Sequence, residues 1–268
     1  MQSFDKEVRL IVRGDDMGCL HSCNIAIAKA FKEGILTCAA ILAPAPWARE
    51  AVEMAKANPS WCIGIHLSVI GEWRGYPWRP VLPYNKVSSI TNEDGFFYRS
   101  PREFFENDPN YVEVKKELKA QIKLLVKWGV NPCYLDIHYI GDEEKTVEVN
   151  KFVRVVKELS KEYMLPVSGH SGEKFVTGVY TIPPVEKESS LARQLEELTP
   201  GLWLLVNHLL IDSPESQALV HTEPSHVMPE GVGNHRLSEL KCLISPKIKE
   251  IVKRKGIKLV NYRTFRKD

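Results

Sequence analysis

Short apolar runs alternate with amphipathic stretches along the whole chain, and no other sequence feature limits the fold as strongly. Apolar runs rich in branched residues predict strands, whereas apolar residues at helical spacing predict helices. The predicted strands cover seven segments: residues 8–13, 35–43, 61–69, 133–138, 164–168, 202–207 and 257–262. Successive parallel strands require a crossover, which the intervening helices would supply. The sequence therefore predicts an α/β fold built on a parallel sheet.

The number of strands favours a (β/α) barrel-like fold, a distorted seven-stranded barrel, over an open sheet. The alternative is a flavodoxin-like or Rossmann-like sheet. No G-x-G-x-x-G motif follows the first strand and no G-x-x-x-x-G-K-[ST] motif occurs, which disfavours a nucleotide-binding cradle. The 268 residues suffice for one substantial core, so we predict a single domain over residues 1–268.

The β/α rhythm stops between residues 71 and about 105, where aromatic residues and prolines are concentrated. A long insertion of this kind is usually a lid or a binding loop. Its aromatic rings could offer flat faces to sugar rings. A satellite hydrophobic cluster or a contact in a homodimer is an equally good interpretation. We therefore predict an inserted aromatic loop and leave its role open.

The charge balance argues against nucleic acid and membrane surfaces as partners. The chain has 36 Lys and Arg against 34 Asp and Glu, a formal net charge of +2. The first seven residues lack the pattern of a signal peptide, and no apolar run reaches about 18 residues. We therefore expect a cytoplasmic protein. The six cysteines form no C-x-x-C pair, and we expect most of them to be reduced core residues.

Polar side chains stand at the carboxyl ends of several predicted strands. They are Asp15 and Asp16, His66, Asp136 and His138, and His208. A barrel gathers these strand ends around one rim. One carboxylate and two imidazoles are a ligand set that leaves coordination positions open for water and substrate. Each residue alone also has an ordinary structural interpretation: Asp15-Asp16 as a turn and helix cap, each histidine as a core residue.

A cation held at this rim would favour hydrolysis of an amide. The cation would lower the pKa of a bound water and polarise a carbonyl oxygen, while a spare carboxylate takes a proton and a histidine protonates the leaving amine. Zinc suits mixed oxygen and nitrogen ligands, and magnesium, manganese, cobalt and nickel are also admitted. A glycosidase that uses Asp15 and Asp136 as paired carboxylates is a weaker alternative.

Several motifs in order resemble one known family. They are Leu10-Ile-Val-Arg-Gly-Asp-Asp-Met-Gly18, Gly34-Ile-Leu-Thr37, Gly64-Ile-His-Leu67, Leu135-Asp-Ile-His138, Arg236-Leu-Ser-Glu-Leu240 and Gly256-Ile-Lys-Leu-Val-Asn-Tyr262. This set resembles the YdjC-like (ChbG/HpnK) carbohydrate deacetylases over nearly the whole chain.

The resemblance implies a barrel of the glycoside hydrolase/deacetylase type, one divalent metal ion, with zinc or magnesium as the first candidates, and a small carbohydrate substrate. The implied reaction removes acetyl groups from N-acetylated sugars such as chitooligosaccharides. By position, Asp16, His66 and His138 would hold the metal, Asp15 would be the general base, and His208 would be the candidate acid.

The sequence departs from the family pattern at three places, and the first two departures motivate an alternative function. Tyr139 and Ile140 follow His138 where the family usually has a further histidine, and His208 is followed by two leucines instead of Pro-Gly. Arg13 before the acid pair is also unusual, and it could bind substrate or face solvent. The alternative is a carbohydrate-binding protein that has lost catalysis.

The remaining candidates have supporting roles. Asp136 could orient a metal ligand, bind a sugar hydroxyl, or be a buried structural carboxylate, and we favour the first role. His170, in Ser168-Gly-His-Ser-Gly172, is a weaker candidate for substrate contact. The other histidines are predicted to be surface or loop residues: His21, His221, His226 and His235.

Overall fold

The computed structural model of the protein describes residues 6–141, 147–223 and 228–265. The strands are β1 (Val8–Met17), β2 (Cys38–Ile41), β3 (Cys62–Leu67), β4 (Leu135–Ile137), β5 (Lys174–Phe175), β6 (Gly201–His208) and β7 (Lys258–Leu259). The helices are α1 (His21–Glu33), α2 (Ala48–Ala57), α3 (Pro101–Glu106), α4 (Tyr111–Trp128), α5 (Val147–Tyr163), α6 (Lys187–Glu196), α7 (Pro214–Gln217), α8 (Val232–Ile244) and α9 (Pro246–Arg254).

All the strands belong to one parallel sheet with the order β4-β3-β2-β1-β6-β5. Val167 adds a single bridge beyond β4, and β7 pairs with the start of β1. The sheet curls into a half-barrel, and in the described ranges no strand pairing joins Val167 to β5. The predicted α/β barrel-like class is confirmed, although the ring stays open at this point.

Helix α4 shows how the sequence pattern determines the local structure. Val114, Leu118 and Ile122 recur at helical spacing, and all three are fully buried. The Asn110 side chain accepts a hydrogen bond from the Val112 N–H at the start, and Gly129 ends the helix with φ 105°. The bounds predicted from the sequence and those observed are the same.

The two faces of the sheet bury different side chains. The larger core lies between the sheet and the helices, and a smaller core fills the inside of the half-barrel below the carboxyl ends of the strands. In the inner core the Tyr134 ring lies so close to Gly64 that a Cβ atom there would stand 2.4 Å from the ring. All six cysteines are buried and free, as expected.

The short edge strands differ from the predictions. The segment 164–168 forms only the bridge at Val167, and the segment 257–262 contributes only the two residues of β7. Strand β5 was not predicted, because its two residues are exposed and its neighbourhood is rich in Gly, Ser and Pro.

The aromatic segment 71–105 packs mainly against the chain itself. Trp73, Trp78 and Phe97 are almost fully buried in the larger core, whereas Tyr84 is half exposed. Two 3₁₀ turns interrupt this segment, and α3 begins within it. The cluster interpretation therefore fits these side chains better than a set of exposed sugar-stacking rings.

No helix in the described ranges is both long enough and apolar enough to cross a membrane.

Candidate metal centre and active site

A local distortion at the end of β1 brings two consecutive carboxylates to the inside of the half-barrel. The β1–β2 register shifts between Gly14 and Met17, and Asp16 has φ 62°, a left-handed conformation that is strained for a non-glycine residue. In a regular strand, successive side chains point to opposite faces. Here both Asp15 and Asp16 approach His66, at 4.0 and 3.4 Å from its Nε2 atom.

Three predicted ligands converge on a common point. Asp16 Oδ1 lies 3.4 Å from His66 Nε2 and 3.3 Å from His138 Nδ1, and the two nitrogens are 3.2 Å apart. Asp16 Oδ1 is buried and accepts no hydrogen bond from the residues that the structure describes. Three ligands around a zinc ion in tetrahedral geometry would stand about 3.3–3.6 Å apart. These three atoms therefore have the spacing and the lone pairs that a metal ion requires.

The other polar atom of each ligand is occupied by a supporting group. His66 Nδ1 forms an ion pair with Asp136 Oδ2 at 2.7 Å, and His138 Nε2 contacts Glu72 Oε2 at 2.9 Å. The second oxygen of Asp16 accepts a hydrogen bond from the guanidinium of Arg236 at 2.7 Å. Each ligand thus keeps one atom for the common point. Such outer carboxylates typically orient metal-bound histidines.

The buried charges around this point sum to −2 before the histidines are counted. Four carboxylates and two guanidiniums contribute: Asp15, Asp16, Glu72, Asp136, Arg13 and Arg236. Burial lowers the pKa of His66 and of His138, but the adjacent carboxylates outweigh it and raise these pKa values to about 9 and about 10. Two imidazolium protons would balance the charge, and so would one divalent cation.

A second group of potential ligands is already occupied by a side chain. Atoms of Asp15, His66 and Asp136 also lie close enough to share an ion. Arg13 bonds to both acids: its Nε and Nη2 atoms donate to the two oxygens of Asp15 at 2.6 and 2.7 Å, and its Nη1 atom donates to Asp136. A cation at this second group would have to displace Arg13, so the group around Asp16 fits a metal better.

Asp16, His66 and His138, called the metal group below, lie at the base of a cavity. Arg13 neither faces solvent nor lines this cavity. It is buried, and besides the two acids it contacts Ser168 Oγ at 2.6 Å. Ser168 in turn contacts the Tyr262 hydroxyl at 2.5 Å. Of the two alternatives for Arg13, exposure to solvent is therefore wrong, and the residue supports the two carboxylates from outside the cavity.

His208 lines the cavity from the end of β6, where it is the register partner of Asp15. Its backbone N–H donates to Glu239 at 2.9 Å, its ring lies 4.8 Å from the Tyr180 ring, and its Nδ1 atom is buried with no hydrogen bond among the described residues. Burial, with a contribution from Arg236, lowers the pKa of His208 to about 4. The imidazole is therefore neutral at pH 7. Two buried leucines follow it where the family pattern has Pro-Gly.

The cavity over the metal group has a volume of about 220 Å³. Its lining residues are Asp15, Asp16, His66, Glu72, Ile137, His138, Tyr139, Tyr180, His208, His221 and Arg236. His170 is not one of them, and its predicted role in substrate contact stays a prediction.

Sequence reasoning missed several of these wall residues. Glu72 and Tyr180 lie in segments without helical or strand periodicity, and Arg236 is marked in the sequence only as part of a family motif. His221 was predicted to be a surface or loop residue, but it is buried and lines the cavity. His235 was placed in the same class and is also buried. His226 lies outside the described residues.

The half-barrel and its buried Asp-His-His group define the chain as an α/β protein with a candidate metal centre, and comparisons with known proteins identify its family. The model of the YdjC-like protein family matches residues 9–254. The chain therefore belongs to the YdjC-like family.

Curated relatives match over almost their whole length. A carbohydrate deacetylase of Enterococcus faecalis is 26% identical over 267 residues, covering 96% of this chain and 98% of the relative. A carbohydrate deacetylase of Geobacillus stearothermophilus is 26% identical over 262 residues, with coverage of 96% and 98%.

A solved structure supports the fold. It is a protein of Enterococcus faecalis V583 for which cellobiose-phosphate cleavage has been suggested, and it aligns with a TM-score of 0.80 at 24% identity. The alignment covers 98% of this chain and 100% of the other. At this level of identity the likeness concerns the fold alone.

Proposed function

We propose that the protein is a metal-dependent carbohydrate deacetylase that hydrolyses the N-acetyl group of an N-acetylhexosamine in a mono- or oligosaccharide. The observation that carries this proposal is the convergence of Asp16, His66 and His138 on one point. The names of the curated relatives support the carbohydrate substrate. We expect zinc or magnesium, because the oxygen and nitrogen ligands admit both.

The residues around the metal group would divide the work of amide hydrolysis. Asp16, His66 and His138 would hold the cation, which when bound supplies Lewis-acid polarisation and a more acidic water. Asp15 lies on the cavity wall beside His66 and is the candidate proton acceptor. His208 faces the same cavity, and because it is neutral at pH 7 it must gain a proton before it can donate one to the leaving amine.

A carbohydrate-binding protein without catalysis is the second candidate, and the bidentate contact of Arg13 with Asp15 favours it. Both oxygens of the candidate base already accept hydrogen bonds from the guanidinium. The same guanidinium bridges Asp15 to Asp136, so the pair of free carboxylates that a glycosidase needs is not available.

The test measures acetate released from N-acetylated chitooligosaccharides by protein loaded with zinc or magnesium. We expect release that a chelator abolishes and that Asp16→Asn or His66→Ala lowers by more than about 100-fold, because loss of a ligand costs more than loss of an outer partner. His21→Ala is the matched control, since His21 is an exposed histidine that pairs with Glu50. Sugar binding by calorimetry without acetate release would favour the binding protein.

A further inference from the structure

The start of the aromatic segment is fixed against a distant stretch of chain. The carbonyl of Glu72 accepts hydrogen bonds from the N–H and the hydroxyl of Thr222 at 2.8 and 2.6 Å. The Arg74 N–H donates to the Val220 carbonyl at 2.9 Å, and Trp73 forms an antiparallel bridge with His221. The backbone of Glu72 and Trp73 is therefore held on the rim of the cavity by main-chain bonds.

The Glu72 side chain is directed from this fixed backbone onto one candidate ligand. Its carboxylate is buried, and Oε2 lies 2.9 Å from His138 Nε2. A carboxylate accepts but does not donate, so this nitrogen must carry the proton. Nδ1 is then the nitrogen that can give its lone pair to a cation at the common point beside Asp16 and His66, once the cation displaces any proton on it.

The neighbouring Trp73 contacts Arg236, which in turn binds Asp16, a second candidate ligand. The Arg236 guanidinium lies over the Trp73 ring, 4.8 Å from its centroid, a distance typical of a cation–π contact. The same guanidinium donates to Asp16 Oδ2. This contact leaves Asp16 Oδ1 for the common point.

We propose that Glu72 is a positioning residue of the metal centre, selecting Nδ1 of His138 as the ligand atom by holding the proton on Nε2. This inference rests on the proposed function only in requiring that a divalent cation binds. Asp136 has the equivalent place beside His66, but it is supplied by strand β4, whereas Glu72 comes from the aromatic segment. One part of that segment thus completes the metal centre.

The test is the affinity for Zn²⁺, measured by competition with a chromophoric chelator, and the visible spectrum of the Co²⁺ form. Glu72→Gln should weaken Zn²⁺ binding by about 10–100-fold and alter the Co²⁺ spectrum. Glu106→Gln, an exposed glutamate paired with Arg102, should bind Zn²⁺ as the wild type does. In a His138→Ala background, Glu72→Gln should cause no further loss, because its partner is absent.

Several outcomes would overturn the proposal. One is a Glu72→Gln protein with wild-type Zn²⁺ affinity and Co²⁺ spectrum. Another is a loss of Zn²⁺ affinity on Glu72→Gln that is as large in the His138→Ala background as in the wild type. If Glu72→Gln does not fold, Glu72→Asp replaces it, because the shorter side chain moves the carboxylate away from His138. The same Zn²⁺ affinity and Co²⁺ spectrum then decide the outcome. A wild-type protein that binds neither ion would overturn the proposal and the metal dependence together. Acetate release by the wild type tests the deacetylase activity separately from Glu72.

Discussion

The contact between Arg13 and the two acids decides how the residues of this site are held. Arg13 joins Asp15 to Asp136, and Asp136 pairs with His66. A buried guanidinium shared by two carboxylates is costly to desolvate, but removing it leaves two buried charges without a partner. We therefore expect the loss of Arg13 to lower the stability of the protein, and to affect catalysis only through the position of Asp15.

Arg13→Met should lower the free energy of unfolding by about 3–5 kcal/mol, because both carboxylates lose their cation in a buried site. Urea unfolding followed by circular dichroism measures this. Arg102→Met is the control, since Arg102 is exposed and solvent screens its pair with Glu106, so its loss should leave the free energy of unfolding nearly unchanged. Equal stability of the Arg13 variant and the wild type would contradict the assigned contacts.

Metal binding should release protons from the two histidines. Their pKa values are raised to about 9 and about 10, so both imidazoles are protonated at pH 7.5 in the absence of a cation. Their protonated forms stabilise the metal-free protein below about pH 6.5, and this contribution is lost as the pH rises through 9 and 10. A cation must displace both protons, so its apparent affinity should rise with pH.

Calorimetry of Zn²⁺ binding at pH 7.5, in two buffers of different ionisation enthalpy, counts these protons. We expect about two protons released per ion. A heat of binding that does not depend on the buffer would show that the histidines are not the groups that the ion displaces.

Much of the metal group could be predicted from single residues, because Asp16, His66 and His138 each end an apolar run. Their supporting partners could not be predicted in the same way. Glu72 is six residues beyond His66 in a segment without periodicity, and its partner His138 lies far along the chain. Only the folded backbone brings the two together.

Helix α8 fixes the position of His208 through a buried acid. Glu239 of α8 accepts the His208 N–H and lies 3.6 Å from the ammonium of Lys187 in α6. Lys187 also donates to the carbonyls of Val179 and Tyr180. One buried pair thus joins two helices to two walls of the cavity. Burial raises the pKa of Glu239 to about 7, although Lys187 opposes this effect.

Glu239→Gln should change how stability depends on pH. The folded protein holds the Glu239 proton up to about pH 7, whereas the unfolded chain loses it near 4.5. The contribution of this proton to the free energy of unfolding is fully present below pH 4.5 and is lost as the pH rises to 7. Relative to the wild type, the variant should therefore gain up to about 3 kcal/mol between these pH values. Urea unfolding at pH 4.5 and 7 measures the difference, and a constant difference would contradict the shifted pKa.

Strand β3 depends on the glycine two residues before His66. A Cβ atom on Gly64 would stand 2.4 Å from the Tyr134 ring, and real Cβ atoms do not approach so closely. Gly64→Ala should destabilise the protein by about 1–3 kcal/mol, because the inner core is already full. Thermal unfolding measures the loss. The double variant Gly64→Ala/Tyr134→Leu should recover part of it, and no recovery would contradict the assigned contact.

For the whole molecule, β/α alternation was enough to predict the class of fold and the rim on which the polar residues meet. The strands around the half-barrel follow chain order, so the ends of β1, β3, β4 and β6 become neighbours on one rim. The open part of the ring was not predictable, because the Val167 bridge to β4 and the pairing of β5 with β6 involve only one or two residues each, which leave no hydrophobic pattern. The aromatic rings that motivated a homodimer are largely buried in the chain's own core, and the homodimer stays a prediction.

Asp16, His66 and His138 should share one ion, and anomalous diffraction at the zinc edge from a Zn²⁺-soaked crystal shows whether they do. We predict one strong peak about 2.0–2.2 Å from Asp16 Oδ1, His66 Nε2 and His138 Nδ1. A crystal with zinc bound elsewhere and no peak among these three atoms would contradict the account.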